Sequence, residues 1–248
     1  MHESTRRKSV KKDTPMWYSG RPKEYKTMSR PLMMILLAAL ALGAATSQAD
    51  WANNTRYAEA NQQEKIPGKV IFFGDSITDA WINRSQPFFV TNNFLDRGIS
   101  GQTTAQMLCR FRQDVIDLKP RTVVILAGIN DIAENIGPIS QDSMLNNIKS
   151  MTELAKLHGI KVCLCSVTPC NGFPWNRKIT DVVERIQSFN VKLKAYAENE
   201  HLPYVDYYSK LVDDKGGMGD KAADGVHPNP AGYAIMEALV LPVVLSLD

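Results

Sequence analysis

The chain has 248 residues, 44% of them hydrophobic and 22% charged, with a formal net charge of +3 at pH 7. Within residues 1–30, nine Lys and Arg stand against three acids, so residues 31–248 carry a net −3. A nucleic-acid partner would need its basic footprint on the folded domain, and this distribution gives no reason to expect one.

The basic stretch leads into Leu32–Ala45, fourteen uncharged residues of Leu, Met, Ile, Ala and Gly. A bilayer takes about 20 residues to cross, and the shorter run suits the apolar core of a signal peptide. Small residues at Ser47-Gln48-Ala49 predict cleavage after Ala49, with a mature protein starting at Asp50 and exported to the periplasm or beyond. Starting the chain at Met28 gives a leader of more ordinary build. Membrane association is expected only if this segment stays uncleaved, and no Cys follows it to carry a lipid. Residues 1–49 are therefore set aside as leader, and 50–248 form a single domain with ample length for one core.

From residue 60 onward, short apolar runs alternate with longer amphipathic ones. Val70–Phe73 reads as a strand closed by Gly74, and Asn93–Arg97 as a shorter second strand. Thr103 opens a helix with a capping-box pattern to Gln106, and Met107, Phe111, Val115 and Leu118 recur at helical spacing. Thr122–Ala127 is a β-branched apolar run ending at Gly128. Ser140 can cap the next helix, with Leu145, Ile148, Met151, Leu154 and Leu157 on one face and His158-Gly159 at its end. Val162–Val167 reads as a fourth strand, Thr180–Glu200 as a helix, Tyr204–Asp206 as a fifth strand and Pro230–Val244 as a closing helix. Strands and helices in this alternation predict a three-layer α/β/α domain around a parallel sheet, with any ligand beyond the carboxyl ends of the strands.

Cysteine usage adds no framework to this. Cys163, Cys165 and Cys170 lack the spacing and the neighbouring His of a zinc site, so buried packing is expected for Cys163 and Cys165, and no metal.

Four loops after strands gather polar and glycine residues: Gly74-Asp75-Ser76, Arg97-Gly98-Ile99-Ser100-Gly101, Gly128-Ile129-Asn130-Asp131 and Asp224-Gly225-Val226-His227-Pro228. Nucleophilic hydrolysis needs a hydroxyl, a base within reach, a carboxylate to orient the base, and donors for an oxyanion. Ser76 follows the first strand where a helix begins; alone it could be an ordinary helix cap. Of the four histidines, only His227 falls in a loop beyond the strands. Asp224 precedes it by three, close enough for one turn to join them, although alone this segment reads more readily as a turn and helix cap before Pro230.

Taken together, the loops resemble the GDSL or SGNH hydrolases. Gly74-Asp75-Ser76 looks like the first block, with Ser76 in the nucleophile's place, and Asp224 and His227 match the last block's triad positions. Gly98 is matched to the second-block glycine that lends its N–H to the oxyanion hole, alongside the Ser76 N–H and the Asn130 side chain of the third block. The run Arg97 to Thr104 is similar to bacterial acylhydrolases related to platelet-activating-factor acetylhydrolases. The resemblance spans about Val70 to Leu241 and implies a flavodoxin-like five-stranded sheet and no metal or organic cofactor. It departs at Ala127, where many members carry Gly.

The substrate is less legible. Asp75 is expected to brace the nucleophile's loop and stands, with Phe173 and Trp175, among the residues assigned to the substrate. The stretch Thr168–Asn176 should wall the cleft, and its aromatics could stack on a sugar or pack an acyl chain. No insertion resembles a lipase lid, so short acyl groups, acetyl above all, on a small-molecule or carbohydrate ester are expected. A lysophospholipase or thioesterase with the same residues is the alternative among enzymes. A non-catalytic carbohydrate-binding domain is the alternative outside them. A flavin- or phosphate-binding domain would need a glycine-rich cradle that the first loop lacks. The oligomeric state is not legible.

Overall fold

The computed structural model describes residues 50–63 and 69–247. The expected leader and its cleavage point at Ala49 lie outside them. Five parallel strands form one sheet: β1 Val70–Gly74, β2 Leu95–Gly98, β3 Thr122–Leu126, β4 Lys161–Cys165 and β5 Tyr204–Val205, in the order β2-β1-β3-β4-β5. Every residue of β1 and β3 is buried, as a parallel sheet with helices on both faces requires. Gly74 at the end of β1 lies beside Gly98 of β2 and Leu126 of β3. The loops leaving these three strands therefore emerge side by side.

The helices are α1 Ala58–Gln63, α2 Ser76–Asp79, α3 Trp81–Arg84, α4 Gln86–Asn92, α5 Thr104–Phe111, α6 Ile129–Ile132, α7 Gln141–Leu157, α8 Val182–Asn199, α9 Tyr208–Leu211 and α10 Pro230–Ser246. A π-helical turn over Arg112–Ile116 extends α5. Met107, Phe111 and Val115 of this stretch are fully buried, as their spacing predicts. Gln106 reaches back from α5 to accept the Thr103 N–H at 3.0 Å, the returning half of the capping box.

Two expectations differ in detail. β2 begins at Leu95 rather than Asn93, because Asn93 closes α4 in the left-handed conformation (φ 54°), a role Asn tolerates. Leu157 is 79% exposed instead of facing the core. The series 145, 148, 151, 154, 157 advances three residues at a time and slips about 60° around the helix per step. The buried face instead follows Met144, Ile148, Met151 and Ala155.

Helix α10 ties the two ends of the domain together. Its Tyr233 Oη donates to the Ile77 carbonyl at 2.7 Å, and its Glu237 accepts the Trp81 indole N–H at 2.9 Å. Asn229 caps it by accepting the Ala231 and Gly232 N–H groups at 3.0 and 3.1 Å, two residues after His227. A single helix thus fixes the start of α2 against the last loop.

Candidate active site

Ser76 is the first residue of α2, at the carboxyl end of the interior strand β1. Asp75 caps this helix: its Oδ1 accepts the Ile77 N–H at 3.0 Å, which uses one of the donors a helix start leaves unpaired. The Asp75 carboxyl is 1% exposed. Burial pushes its pKa up to about 7, against the downward pull of the Ile77 N–H.

Ser76 Oγ lies 2.8 Å from His227 Nε2, and His227 Nδ1 lies 2.8 Å from Asp224 Oδ2. Asp224 Oδ1 accepts the backbone N–H groups of His227 at 2.8 Å and Val226 at 3.0 Å. The same carboxylate therefore shapes the turn and orients the imidazole. Partial burial works to raise the Asp224 pKa, but the backbone and imidazole donors of His227 and the Val226 N–H outweigh it and hold the carboxyl below its usual value. An ionised acceptor on Nδ1 favours the tautomer whose Nε2 is free to accept a proton from Ser76.

These groups open onto a cleft of about 530 Å³ lined by Ser76, Ser100, Gly101, Gln106, Asn130, Asn135, Ile136, Trp175 and His227. Asn130 donates one amide hydrogen to the Gln102 carbonyl at 3.0 Å and accepts from Asn135 Nδ2 at 2.8 Å on its Oδ1. Its carboxamide is thereby oriented with the nitrogen's second hydrogen left over. The neighbouring Asp131 does not line the cleft. It accepts the Thr104 N–H at 2.8 Å and the Thr104 hydroxyl at 2.6 Å, capping α5 from another loop. Burial raises its pKa to about 6 while the Thr104 donors pull it down.

Gly98 is placed differently from its expectation. Its N–H is taken by Asp96 Oδ1 at 2.7 Å, its carbonyl accepts from the Tyr57 hydroxyl, and it does not line the cleft. Gly101 does line it, at φ +80°, and among the described residues neither its N–H nor that of Ser76 has a hydrogen-bond partner. The sequence signal that could have found Gly101 was the Ser100-Gly101-Gln102 turn, where only glycine takes a left-handed conformation without cost.

Two of the substrate assignments are corrected as well. Asp75 is a buried helix cap, and Phe173, at 2% exposure, is part of the core beneath the loop. Trp175 is 52% exposed on the cleft wall, 5.4 Å from the Phe173 ring, with its indole N–H donated to Asn135 Oδ1 at 2.9 Å. Asn135 and Ile136 were not singled out from the sequence, Ser100 was named only within its loop, and Gln106 only as a capping-box partner. They sit where any surface polar or apolar residue could, and nothing local marks them for the cleft.

Cys163, Cys165 and Cys170 are buried free thiols. Among the described residues, no group of three or more His, Cys, Asp or Glu is placed to hold a metal ion, and no helix is long and apolar enough to cross a membrane.

Comparison with known proteins gives the family. The model of the GDSL-like lipase/acylhydrolase family matches residues 72–235. The chain is similar to the crystal structure of a GDSL-like lipase from Bacteroides thetaiotaomicron VPI-5482, at 45% identity and a TM-score of 0.78, covering 79% of this chain and 99% of that one. It is 27% identical over 198 residues to the esterase TesA of Pseudomonas aeruginosa, covering 75% of this chain and 92% of the relative. It is also 27% identical over 207 residues to the uncharacterized lipoprotein YqeF of Bacillus subtilis, covering 67% of this chain and 85% of the relative. The family match takes in the first three of the four loops and the last one alike. The chain belongs to the GDSL-like lipase/acylhydrolase family, and it is a carboxylic ester hydrolase.

Proposed function

We propose that this protein removes short acyl groups, acetyl foremost, from small polar or carbohydrate esters, with Ser76 as nucleophile, His227 as base and Asp224 as the group that holds the base. The observation that carries the reading is the unbroken line from Ser76 Oγ through His227 to Asp224, with both spacings at 2.8 Å, opening on the cleft. Ser76 Oγ attacks the ester carbonyl carbon as its proton passes to His227 Nε2, and Asp224 stabilises the resulting imidazolium. The Ser76 N–H, the Gly101 N–H and Asn130 Nδ2 receive the oxyanion, with Gly101 in the place expected of Gly98. Collapse of the tetrahedral intermediate expels the alcohol, which takes the proton from His227 and leaves an acyl-Ser76 ester. Water, deprotonated by His227, attacks that ester, and the carboxylic acid departs with Ser76 restored.

The short-acyl preference rests on the lining. Ser100, Gln106 and Asn135 put polar groups around the nucleophile, while Ile136 and half-exposed Trp175 supply a modest apolar wall rather than a deep acyl channel. An exposed indole fits the face of a sugar ring. Export is part of the proposal, supported by the leader's pattern and by a similar lipoprotein.

The test is a kinetic series on 4-nitrophenyl acetate, with 4-nitrophenyl esters of longer acids for chain length. Ser76→Ala and His227→Ala should each lower kcat by about 10⁴–10⁶, and the double variant should be little worse, because the two act as a unit. Folded Ser76→Ala with near-normal turnover would overturn the mechanism. Faster turnover of long-chain esters would move the substrate toward lysophospholipids or thioesters.

A further inference from the structure

We propose that Asn135 is a positioning residue that sets the oxyanion pocket through Asn130 and Gly101 and links it to the cleft wall at Trp175. The proposal rests on the serine-hydrolase reading above and adds a residue that takes no part in the proton transfers.

The carboxamide of Asn130 is a nearly symmetric rotor whose oxygen and nitrogen have almost the same size. Only one of its two orientations helps catalysis: with Nδ2 toward the substrate it donates to an oxyanion, and turned over it presents a lone pair to that charge. Asn135 Nδ2 is 2.8 Å from Asn130 Oδ1 and 3.3 Å from the Gly101 carbonyl. An amide nitrogen only donates, so it demands an acceptor on the Asn130 side and keeps the oxygen facing outward. On the far side the Gln102 carbonyl, 3.0 Å from Asn130 Nδ2, demands a donor. The contacts close a ring through Asn135, Asn130, Gln102 and Gly101 that fixes two of the three groups proposed to hold the oxyanion.

The other end of the Asn135 amide decides its own orientation. Its Oδ1 accepts the Trp175 indole N–H at 2.9 Å, and its backbone N–H donates to the Asn130 carbonyl at 3.0 Å. Trp175 can only donate, so it forces the Asn135 oxygen toward the wall and the nitrogen toward Asn130. The direction of every amide in the chain is thus set by groups that cannot reverse: an indole at one end and a backbone carbonyl at the other. Asn135 is solvent-exposed, so its substitution leaves the core untouched.

The experiment measures kcat and KM for 4-nitrophenyl acetate with the full-length protein and its Asn135→Ala, Asn135→Asp, Asn130→Ala and Asn130→Ala/Asn135→Ala variants. Asn135→Ala removes one of two constraints and should lower kcat by about three- to tenfold, the worth of one net hydrogen bond, with KM little changed. Asn135→Asp keeps the side-chain volume and the Trp175 bond but sets an acceptor against Asn130 Oδ1, so its kcat should fall further than that of Asn135→Ala. A role limited to packing the wall would be rescued by this conservative change. In the Asn130→Ala background the Asn135 substitution should cost kcat no more than about twofold, since the rotor it holds is gone and only its contact with Gly101 remains. An equal loss in both backgrounds, a loss confined to KM, or recovery in Asn135→Asp would overturn the proposal. Failure of the serine mechanism would show instead as an active Ser76→Ala, so the two outcomes are separable.

Discussion

A Cβ built on Gly98 would stand 2.1 Å from the Asp79 nitrogen and 2.7 Å from the Thr78 carbonyl carbon, both backbone atoms of α2. At Gly101 a Cβ would meet nothing within 4 Å, but the backbone is left-handed at φ +80°. One glycine is needed for close approach of two backbones, the other for its conformation. Gly98→Ala should therefore act on stability, costing about 1–3 kcal/mol or more because the backbone it strikes cannot move aside. Gly101→Ala should cost about 1–2 kcal/mol of left-handed strain, remain folded, and lose turnover as its N–H swings from the cleft. Urea midpoints together with kcat on 4-nitrophenyl acetate separate the two. A fully stable but inactive Gly98→Ala would return the donor role to Gly98. The order Arg97-Gly98-Ile99-Ser100-Gly101 places both glycines in the right loop, but which N–H is free depends on Asp96, whose carboxylate takes that of Gly98. The left-handed turn at Gly101 has a local signal, but Asp96 turning back onto the Gly98 N–H has none.

At the scale of the element, α2 holds Ser76 through its cap. The Asp75 carboxyl has its pKa raised to about 7 in the folded protein, chiefly by burial. The unfolded chain releases this proton near pH 4. A group that binds its proton more tightly when folded contributes stability that is full below the unfolded value and lost as pH rises through the folded one. Asp75→Asn accepts the same Ile77 N–H and cannot ionise. Its melting temperature should match the wild type near pH 3, exceed it increasingly between about pH 4 and pH 7, and then level off, while Asp96 and Asp131 titrate alike in both proteins. A pH-independent difference would mean that Asp75 stays ionised throughout. From the sequence the cap reads at Ser76, with Asp75 expected only to brace the loop; the structure puts the cap one residue earlier. The burial of Asp75 was not legible either, because burial depends on how the surrounding elements pack and not on the residues beside Asp75.

Across the whole molecule, the carboxyl end of the sheet is joined by one buried cation. Arg110 on α5 is fully buried and donates to the Gly74 carbonyl of β1 at 2.8 Å, the Arg97 carbonyl of β2 at 2.9 Å and the Asp114 carboxylate at 3.0 Å. Its Nε reaches Gln102 Oε1 at 2.5 Å, and its guanidinium lies 4.2 Å from the Phe73 ring centroid. The planar fork satisfies two strand ends and a loop that a lysine could not serve together. Arg110→Met should leave Asp114 as an uncompensated buried carboxylate and cost about 3–5 kcal/mol in urea unfolding. A loss below about 1 kcal/mol would show that water or rearranged side chains replace the guanidinium. From the sequence, nothing marks Arg110 apart from the other residues of its amphipathic helix. Only the approach of β1 and β2 to that helix makes it central.

The sequence by itself determined the alternation of buried strands and amphipathic helices, and hence the three-layer parallel fold. It also offered Ser76, Asp224 and His227 as candidates, His227 as the one histidine in a loop beyond the strands and the other two through the four loops taken together. These properties are local: strand burial follows from continuous apolar runs, and Asp224 reaches His227 within one turn. The tertiary structure alone decided that Ser76 and His227, 151 residues apart, stand 2.8 Å from each other. It likewise decided that Gly101 rather than Gly98 faces the cleft, and that Phe173 belongs to the core while Trp175 forms the wall. The pairing of Ser76 with His227 and the burial of Phe173 turn on neighbours that arrive from distant segments, which a run of adjacent residues cannot specify. At Gly98 the partner Asp96 is two residues away, and the Thr78 and Asp79 backbone packed against it comes from α2.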